Sequence, residues 1–154
     1  WLDAARLNEQ GLGGLDLVSA GGIAVEQDLD VTPGGYVRLA SGQVDVDATI
    51  TARGGDITLT NIIEVYDEAA QGMAVRSLTE ADGETYLRLG GDGVLDARGL
   101  WTSQGGSGGA LADMAYRHGG RVEMSSTQDV ILEQGSLIDV SSGAARAADG
   151  SLLG

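Results

Sequence analysis

The chain has 154 residues, of which 26 are Gly and one is Pro, and it contains no Cys and no Phe. Nine basic residues against 23 acidic ones give a net charge of −14, which disfavours binding to nucleic acid or to anionic membrane surfaces. The absence of Cys excludes disulfides and Cys-ligated metals, and no apolar run approaches the ~18 residues of a membrane span. Because aromatic residues are scarce, small aliphatic side chains must fill the core, as suits a narrow and regular architecture.

The predicted elements begin with a short helix within residues 1–10, whose apolar side carries Leu2 and Leu7. Short strands follow, in which apolar and polar residues alternate, with Gly, Ser, Asn or Asp between them. The inward-facing residues of these strands are, in chain order, Leu15 and Leu17, Ile23 and Val25, Leu29 and Val31, Val37 and Leu39, Val44 and Val46, Ile57 and Leu59, Leu87 and Leu89, Leu95 and Ala97, Val122 and Met124, Val130 and Leu132, and Ile138 and Val140.

The stretch VDVDATITARGGDITLTN, residues 44–61, shows the pattern most clearly. Its apolar residues, among them Ile50, lie on one face of an extended chain, and a glycine corner at Gly54 and Gly55 separates it from the next strand. Three segments end alike, TITARGG, GVLDARG and SLIDVSSG, and Ile50, Leu95 and Ile138 follow each other at gaps of 45 and 43 residues. Each gap fits two coils of ~22 residues, or one coil with an insertion.

Two stretches interrupt the pattern and are predicted to be loop excursions. Residues 61–84 are acidic and fit either strands with a long loop or a partly helical segment. Residues 102–120 open with a Gly/Ser run and contain a possible helical turn at 111–116. Loops of this length usually project from one face of a repeat architecture.

Strands of about five residues with one apolar face are not stable alone, so they must be packed into a larger sheet. Corners of Gly-Gly, Ser-Gly and Arg-Gly suit a chain that turns and continues around a coil, whereas hairpins would favour Asn-Gly, which never occurs. We therefore predict an all-β fold, a right-handed parallel β-helix (a solenoid) of five or six coils with two loop excursions; the alternative is a β-sandwich. The predicted core residues are Val44, Val46, Ile50, Ile57, Leu59, Val122, Leu132 and Ile138.

Three stretches resemble a known family: LDAARLNEQGLGGLDLVSAGGI at 2–23, VLDARGLWTSQ at 94–104 and, most specifically, GGRVEMSSTQDVILEQGSLIDVSSGA at 119–144. They resemble the large filamentous haemagglutinin-type adhesins that bacteria export by two-partner secretion. The resemblance implies a secreted surface fibre built on a β-helix, carried across the outer membrane by a dedicated barrel transporter. The secretion motif of the family is not visible in this sequence, so the resemblance is to the shaft.

The sequence assigns no catalytic, cofactor-binding or metal-binding residue. GGDGVLD at 90–96 approaches a calcium-binding repeat, but Asp96 falls one place late and a single copy cannot complete such a site. Asp45 and Asp47 lie on one outward face, where a pair of catalytic carboxylates is conceivable. Trp101 and Tyr116, beside the Gly/Ser run, are candidates for contact with a sugar or a partner.

These observations predict a non-catalytic shaft segment of a secreted bacterial adhesin or filament that mediates cell adhesion or aggregation. The alternative is a carbohydrate-active β-helix enzyme, a polysaccharide lyase or hydrolase, whose groove would gather several carboxylates and a basic residue. The expected partners are a two-partner outer-membrane transporter during export and a receptor or glycan on a host or bacterial surface. Because the chain begins at Trp1 and shows no recognisable C-terminal cap, we expect a piece of a longer polypeptide and end-to-end self-association.

Overall fold

The computed structural model describes residues 4–80, 83–103, 118–146 and 151–153. Within these ranges the chain is almost entirely β, with one short helix, α1 (Ala4–Glu9), inside the predicted N-terminal helical stretch. The strands are β1 (Gly14–Val18), β2 (Ile23–Val25), β3 (Leu29–Asp30), β4 (Tyr36–Ala40), β5 (Gln43–Val46), β6 (Thr49–Thr51), β7 (Asp56–Thr60), β8 (Ile62–Asp67), β9 (Gly72–Ser77), β10 (Tyr86–Leu89), β11 (Val94–Asp96), β12 (Thr102–Ser103), β13 (Arg121–Ser125), β14 (Asp129–Leu132), β15 (Leu137–Asp139), β16 (Ala145–Arg146) and β17 (Leu152–Leu153).

Twelve of these strands form three parallel sheets of four strands each. Sheet 1 has the order β1-β4-β7-β13, sheet 2 the order β2-β5-β10-β14 and sheet 3 the order β3-β6-β11-β15. The chain visits sheets 1, 2 and 3 in turn and then returns to sheet 1. One such pass is called a circuit below, and the described residues form four circuits, fewer than the five or six coils predicted.

The number of circuits is lower than predicted because each of the two long intervals, from Ile50 to Leu95 and from Leu95 to Ile138, contains one circuit plus an insertion. Ile50 of the second circuit pairs directly with Leu95 of the third, and Leu95 pairs with Ile138 of the fourth. Leu29 of the first circuit pairs with Ile50 on its other side. One inward row of side chains therefore crosses all four circuits despite the unequal spacing in sequence.

The first insertion is a two-stranded antiparallel hairpin of β8 and β9, one of the two structures that the acidic stretch 61–84 allowed. Its base is closed where the Leu78 amide donates to the Asn61 carbonyl at 2.6 Å. The buried Asn61 side chain also donates to the Leu78 carbonyl and to the Thr127 hydroxyl, at 3.1 and 2.7 Å. The second predicted excursion, 102–120, and its possible helical turn at 111–116 lie mostly outside the described residues.

The glycine corner at 54–55 is explained by how closely successive circuits approach. Gly54 has φ +61°, a left-handed backbone conformation that residues with a Cβ adopt at a cost. A Cβ on Gly55 would lie 1.9 Å from the carbonyl oxygen of Gly35 in the preceding circuit. That same oxygen accepts a hydrogen bond from the Asp56 amide at 3.1 Å, so the circuits are joined by backbone where a side chain would separate them.

The core is one continuous cluster of aliphatic side chains enclosed by the three sheets. Within this aliphatic cluster the completely buried residues are Val44, Val46, Ile50, Ala52, Ile57, Leu59, Leu87, Leu89, Leu95 and Ala97, with Val37 and Leu39 at 1% exposure. Five of the eight predicted core residues, Val44, Val46, Ile50, Ile57 and Leu59, are thus buried. All of them belong to the second and third circuits, which are covered on both sides.

The prediction fails in the fourth circuit. Leu132 is 56% exposed, Ile138 is 39% exposed, and Val122 is only partly buried. Their inward orientation agrees with the prediction, since Leu132 pairs with the buried Leu89 and Ile138 with the buried Leu95. They are exposed because, among the described strands, β14 and β15 have a neighbour on one edge only.

Candidate functional site

The two outward carboxylates singled out from the sequence, Asp45 and Asp47, share one arginine. Arg88 on β10 lies beside them, with its NH1 nitrogen 3.2 Å from Asp45 Oδ1 and 2.9 Å from Asp47 Oδ2. Its Nε and NH2 nitrogens donate to the two carboxylate oxygens of Glu133 at 2.8 and 3.1 Å, a bidentate pair. Because these residues belong to the second, third and fourth circuits, Arg88 connects three consecutive circuits across sheet 2.

The hydrogen bonds of this cluster favour the charged forms of Glu133 and Arg88. The hydrogen bond from Arg88 holds the pKa of Glu133 below its usual value. The same interaction, with those to Asp47 and Asp45, raises the pKa of Arg88 above its already high value. Burial raises the pKa of Tyr86, whose hydroxyl donates to Asp45 Oδ2 at 3.0 Å, and that hydrogen bond acts in the same direction.

Glu133 does not meet the requirement of a general acid. Glycoside hydrolysis with a carboxyl pair needs one group with a raised pKa that remains protonated and can donate to the leaving oxygen. Glu133 has the opposite shift, and Asp45 and Asp47 both accept from Arg88. The arrangement can bind strands of three circuits to one another.

A second ionic cluster surrounds Asp96, which is 4% exposed on β11. Its Oδ2 atom lies 2.8 Å from Arg98 NH2 and 3.1 Å from Arg53 NH2, and Arg98 Nε also donates to the carboxylate. The hydrogen bond to Asp96 raises the pKa of Arg98. A buried carboxylate needs such partners, because an unpaired charge in this position would be very costly.

The glycines of GGDGVLD make the tight corner between β10 and β11. The Gly90 amide donates to the Val46 carbonyl, and the Gly93 amide donates to the Gly90 carbonyl, both at 2.9 Å. A Cβ on Gly93 would lie 2.5 Å from the Val46 carbonyl oxygen, so close packing accounts for glycine at this position. Within the described residues there is no group of three or more His, Cys, Asp or Glu side chains placed to hold a metal ion.

Of the two proposed surface contacts, Trp101 is 71% exposed and Tyr116 lies outside the described residues. The sequence reasoning missed a larger apolar surface on the hairpin. Tyr66 and Met73 are paired across β8 and β9, Val75 lies on the same face, and all three are exposed. The sequence indicates this surface through two stretches in which apolar and polar residues alternate, IIEVYD and GMAVRS, on either side of an acidic turn.

An apolar cleft of about 600 Å³ opens at the N-terminal end of the first circuit. Leu15, Leu17, Ile23 and Leu29 contribute to its wall, and Leu7 of α1 lies at one side. The helix also covers the edge of β3: Asn8 Nδ2 donates to the Asp28 carbonyl and Asn8 Oδ1 accepts from the Asp30 amide, both at 2.9 Å. The N-terminal helix therefore covers the edge of β3 and leaves the cleft open beside it.

Comparisons of the chain with protein-family models, with curated proteins and with solved structures find no match. Among the described residues, no helix has the length and apolar character needed to cross a membrane.

Proposed function

We propose that the chain is a right-handed parallel β-helix, a solenoid in which each circuit is one coil. The support is the order of pairing, because every strand of sheets 1, 2 and 3 lies parallel to its counterpart one circuit away. The alternative, a β-sandwich, is built from antiparallel strands, and in the described residues antiparallel pairing is confined to the β8–β9 hairpin and to β16–β17. Right-handedness follows the strong preference of connections between parallel strands of one sheet.

The proposed role is a non-catalytic shaft segment of a secreted bacterial surface adhesin or filament that mediates adhesion or aggregation. The observation that carries it is the inward row Leu29, Ile50, Leu95 and Ile138, which continues in register through all four circuits. Such a row makes each circuit the support for the next, as a shaft requires, and ion pairs between outward side chains also join circuits.

In this proposal the chain is exported by an outer-membrane transporter of the two-partner type and acts at the cell surface, as the family resemblance implies. The exposed hairpin face and Trp101 are the surfaces offered to a receptor or glycan, because exposed aromatic and apolar groups are common at contact sites. The enzyme alternative is less favoured, since Glu133, one of the carboxylates that converge on Arg88, has a lowered pKa where a general acid needs a raised one.

The location can be tested with antibodies raised against the purified chain and applied to intact cells of the organism from which the sequence comes. We expect immunogold label on material outside the outer membrane. Label that appears only after the cells are permeabilised would refute the surface role.

The absence of catalysis can be tested by incubating the chain with a panel of acidic and neutral polysaccharides and measuring new reducing ends and unsaturated products. We expect no turnover. If products form, the variant Asp47→Asn decides whether the Arg88 cluster is responsible, with Asp16→Asn as a matched control. Asp16 is also an outward carboxylate paired with one arginine, Arg38, at 3.0 Å, but it lies on sheet 1.

A further inference from the structure

The chain passes from sheet 1 to sheet 2 at one corner of every circuit. Residues 19–22 form this corner in the first circuit, residues 41–42 in the second and residues 126–128 in the fourth. In the third circuit the hairpin is inserted there, and the chain returns from it through residues 78–80 and 83–85. These two described pieces are called the corner strap below, and they contact this corner in all four circuits.

Glu80 joins the strap to the first and second circuits. Its Oε1 atom accepts a hydrogen bond from the Gly22 amide at 2.8 Å and another from the Ser41 hydroxyl at 3.3 Å. Ser41 is completely buried, so its hydroxyl needs a partner inside the corner. Hydrogen bonds to a carboxylate are stronger than those between neutral groups. One carboxylate therefore holds two residues that precede it by 58 and 39 positions in the chain.

The backbone of the strap lies directly on the corner of the second circuit. A Cβ on Gly42 would lie 2.7 Å from the Glu80 amide nitrogen and 2.9 Å from the Thr79 carbonyl carbon. Real Cβ atoms essentially never approach another heavy atom so closely, so the strap leaves room only for glycine at this position. The Gly42 carbonyl also accepts a hydrogen bond from the Tyr86 amide at 3.1 Å, directly after the strap.

The strap reaches the third and fourth circuits as well. The Leu78 amide donates to the carbonyl of Asn61, which belongs to the third circuit. In the fourth circuit, Gln128 Oε1 accepts from the Thr85 amide at 3.3 Å, and Gln128 Nε2 donates to the Gly83 carbonyl at 3.5 Å. The contacts to Glu80 are shorter than these, so the tie to the first circuit is the stronger one.

We propose that the corner strap controls the local opening of this corner, and that Glu80 fastens the first circuit from the third. Proteins open locally in cooperative units, and the free energy of each opening depends on the contacts that must break. Separating the first and second circuits at this corner requires release of Glu80, which belongs to neither of them.

The insertion thereby has two parts with different roles. The contacts of the strap are made by residues outside β8 and β9, so residues 62–77 are displayed and the strap holds the circuits together. This division does not depend on the proposed role in adhesion, because it rests on hydrogen bonds inside the chain.

The first experiment measures amide hydrogen exchange by NMR in the full 154-residue chain and in the variant Glu80→Ala. Loss of a hydrogen bond to a charged acceptor should make the Gly22 amide exchange about tenfold faster or more. Glu80→Gln keeps an oxygen acceptor at this position and should have a smaller effect. Glu68→Ala is the matched control, because Glu68 is an exposed glutamate in the turn of the hairpin, and it should leave the Gly22 amide unchanged.

Two other amides distinguish opening of the corner from loss of a single contact. The Ser19 amide donates to the Ala40 carbonyl at 2.9 Å and joins the first and second circuits at the strap corner. The Val31 amide donates to the Thr51 carbonyl at 3.0 Å and joins the same circuits at the corner after sheet 3. In Glu80→Ala, exchange at Ser19 should rise several-fold relative to exchange at Val31. A role limited to one hydrogen bond would change neither amide.

The second experiment displaces the strap without changing Glu80. Gly42→Ala puts a Cβ against the strap backbone and should produce the same pattern of exchange. Gly21→Ala is its control, because nothing lies within 4 Å of a Cβ placed there. The double variant of Gly42→Ala and Glu80→Ala should exchange no faster at Ser19 than the faster of the two single variants, because both changes break the same contact.

The third experiment separates the strap from the hairpin. Replacing residues 62–77 with a short Gly-Ser linker keeps Asn61 and Leu78, whose backbones are already joined by a hydrogen bond. Exchange at Gly22 and Ser19 should remain as in the native chain, and adding Glu80→Ala to the shortened chain should accelerate it.

Equal exchange at Gly22 in Glu80→Ala and in the native chain would overturn the proposal, as would a change at Gly22 without one at Ser19. Faster exchange at both amides after replacement of residues 62–77 would show that the strap depends on the hairpin, and the division into two parts would be wrong. If Glu80→Ala does not fold, Gly42→Ala against Gly21→Ala makes the same comparison, and equal exchange at Ser19 in those two variants would also overturn the proposal.

Discussion

Replacing Gly55 with Ala tests how closely successive circuits lie. The added Cβ would sit 1.9 Å from the Gly35 carbonyl oxygen, and real Cβ atoms essentially never approach another heavy atom below 3.0 Å. The two circuits must therefore separate locally by about 1 Å, the difference between those two distances. Such a displacement breaks the 3.1 Å hydrogen bond from the Asp56 amide to the same oxygen.

Overpacking of this kind costs about 1–3 kcal/mol, and a buried acceptor left without its donor costs a further 1–3 kcal/mol or so, which gives about 2–6 kcal/mol in total. For a domain whose unfolding free energy is about 5–15 kcal/mol, the change is large. It corresponds to a melting midpoint that falls by at least about 4 °C. The expected loss comes from backbone separation and not from any change in hydrophobicity, because alanine is the smallest possible addition.

The assay is urea and thermal unfolding followed by far-UV circular dichroism, with Gly21→Ala as the control. Nothing lies within 4 Å of a Cβ placed on Gly21, so the same substitution there should be neutral or stabilising by up to about 1 kcal/mol. If Gly55→Ala unfolds at the same midpoint as Gly21→Ala, then the circuits do not approach each other as described. Close backbone contact would then not account for the glycine at this corner.

Three other variants probe the core and the ionic clusters. Ile50→Asp puts a carboxylate at a completely buried position, which should lower the free energy of unfolding by several kcal/mol and abolish the cooperative transition. A sigmoidal urea transition near the native midpoint would contradict this expectation. Asp96→Asn replaces a carboxylate oxygen with an amide group that donates toward Arg53 and Arg98, and it should lower the free energy of unfolding by about 1–3 kcal/mol. The loss is measured as the shift in the urea midpoint at constant slope. An unchanged midpoint would contradict this role of Asp96. The pKa of Glu133 is lowered in the folded state, so its contribution is present above the unfolded pKa of about 4.3 and is lost as pH falls through the folded value. Arg88→Met should therefore make stability less dependent on pH between pH 7 and 3, and equal slopes in the two proteins would refute the role of this ion pair.

Much of the fold could be predicted from the sequence because the inward positions repeat every second residue within each strand. Val44, Val46 and Ile50 are buried where the alternation places them. The pattern could not reveal which circuit is the last one, and for that reason Leu132 and Ile138 were wrongly expected to be buried. An inward side chain is buried only where a circuit is stacked on each side of its own, and the residues of a strand do not show whether both neighbouring circuits are present.

The ionic clusters were less accessible to sequence reasoning. Asp45 and Asp47 could be placed on one outward face, but Arg88 and Glu133 are more than 40 residues away in the chain and meet them only through the register of sheet 2. The insertions obscure that register, since intervals of 43 and 45 residues each fit either two circuits or one circuit with an insertion. Asp96 was considered only as a calcium ligand, and its burial beside Arg53 and Arg98 has no signal in spacing alone.

The hairpin bears on how such a chain can diversify. Its two ends, Asn61 and Leu78, are joined by a 2.6 Å backbone hydrogen bond, so the main path of the chain passes that corner almost as if the intervening residues were missing. Sheets 1 and 2 keep their register on both sides of it. Lengthening, shortening or exchanging the segment changes mainly the entropy of closing a loop, which grows slowly with length. The sequence of the hairpin can therefore change while the corner at Asn61 and Leu78 stays the same. A foreign peptide inserted between these two residues should leave the surrounding sheets folded.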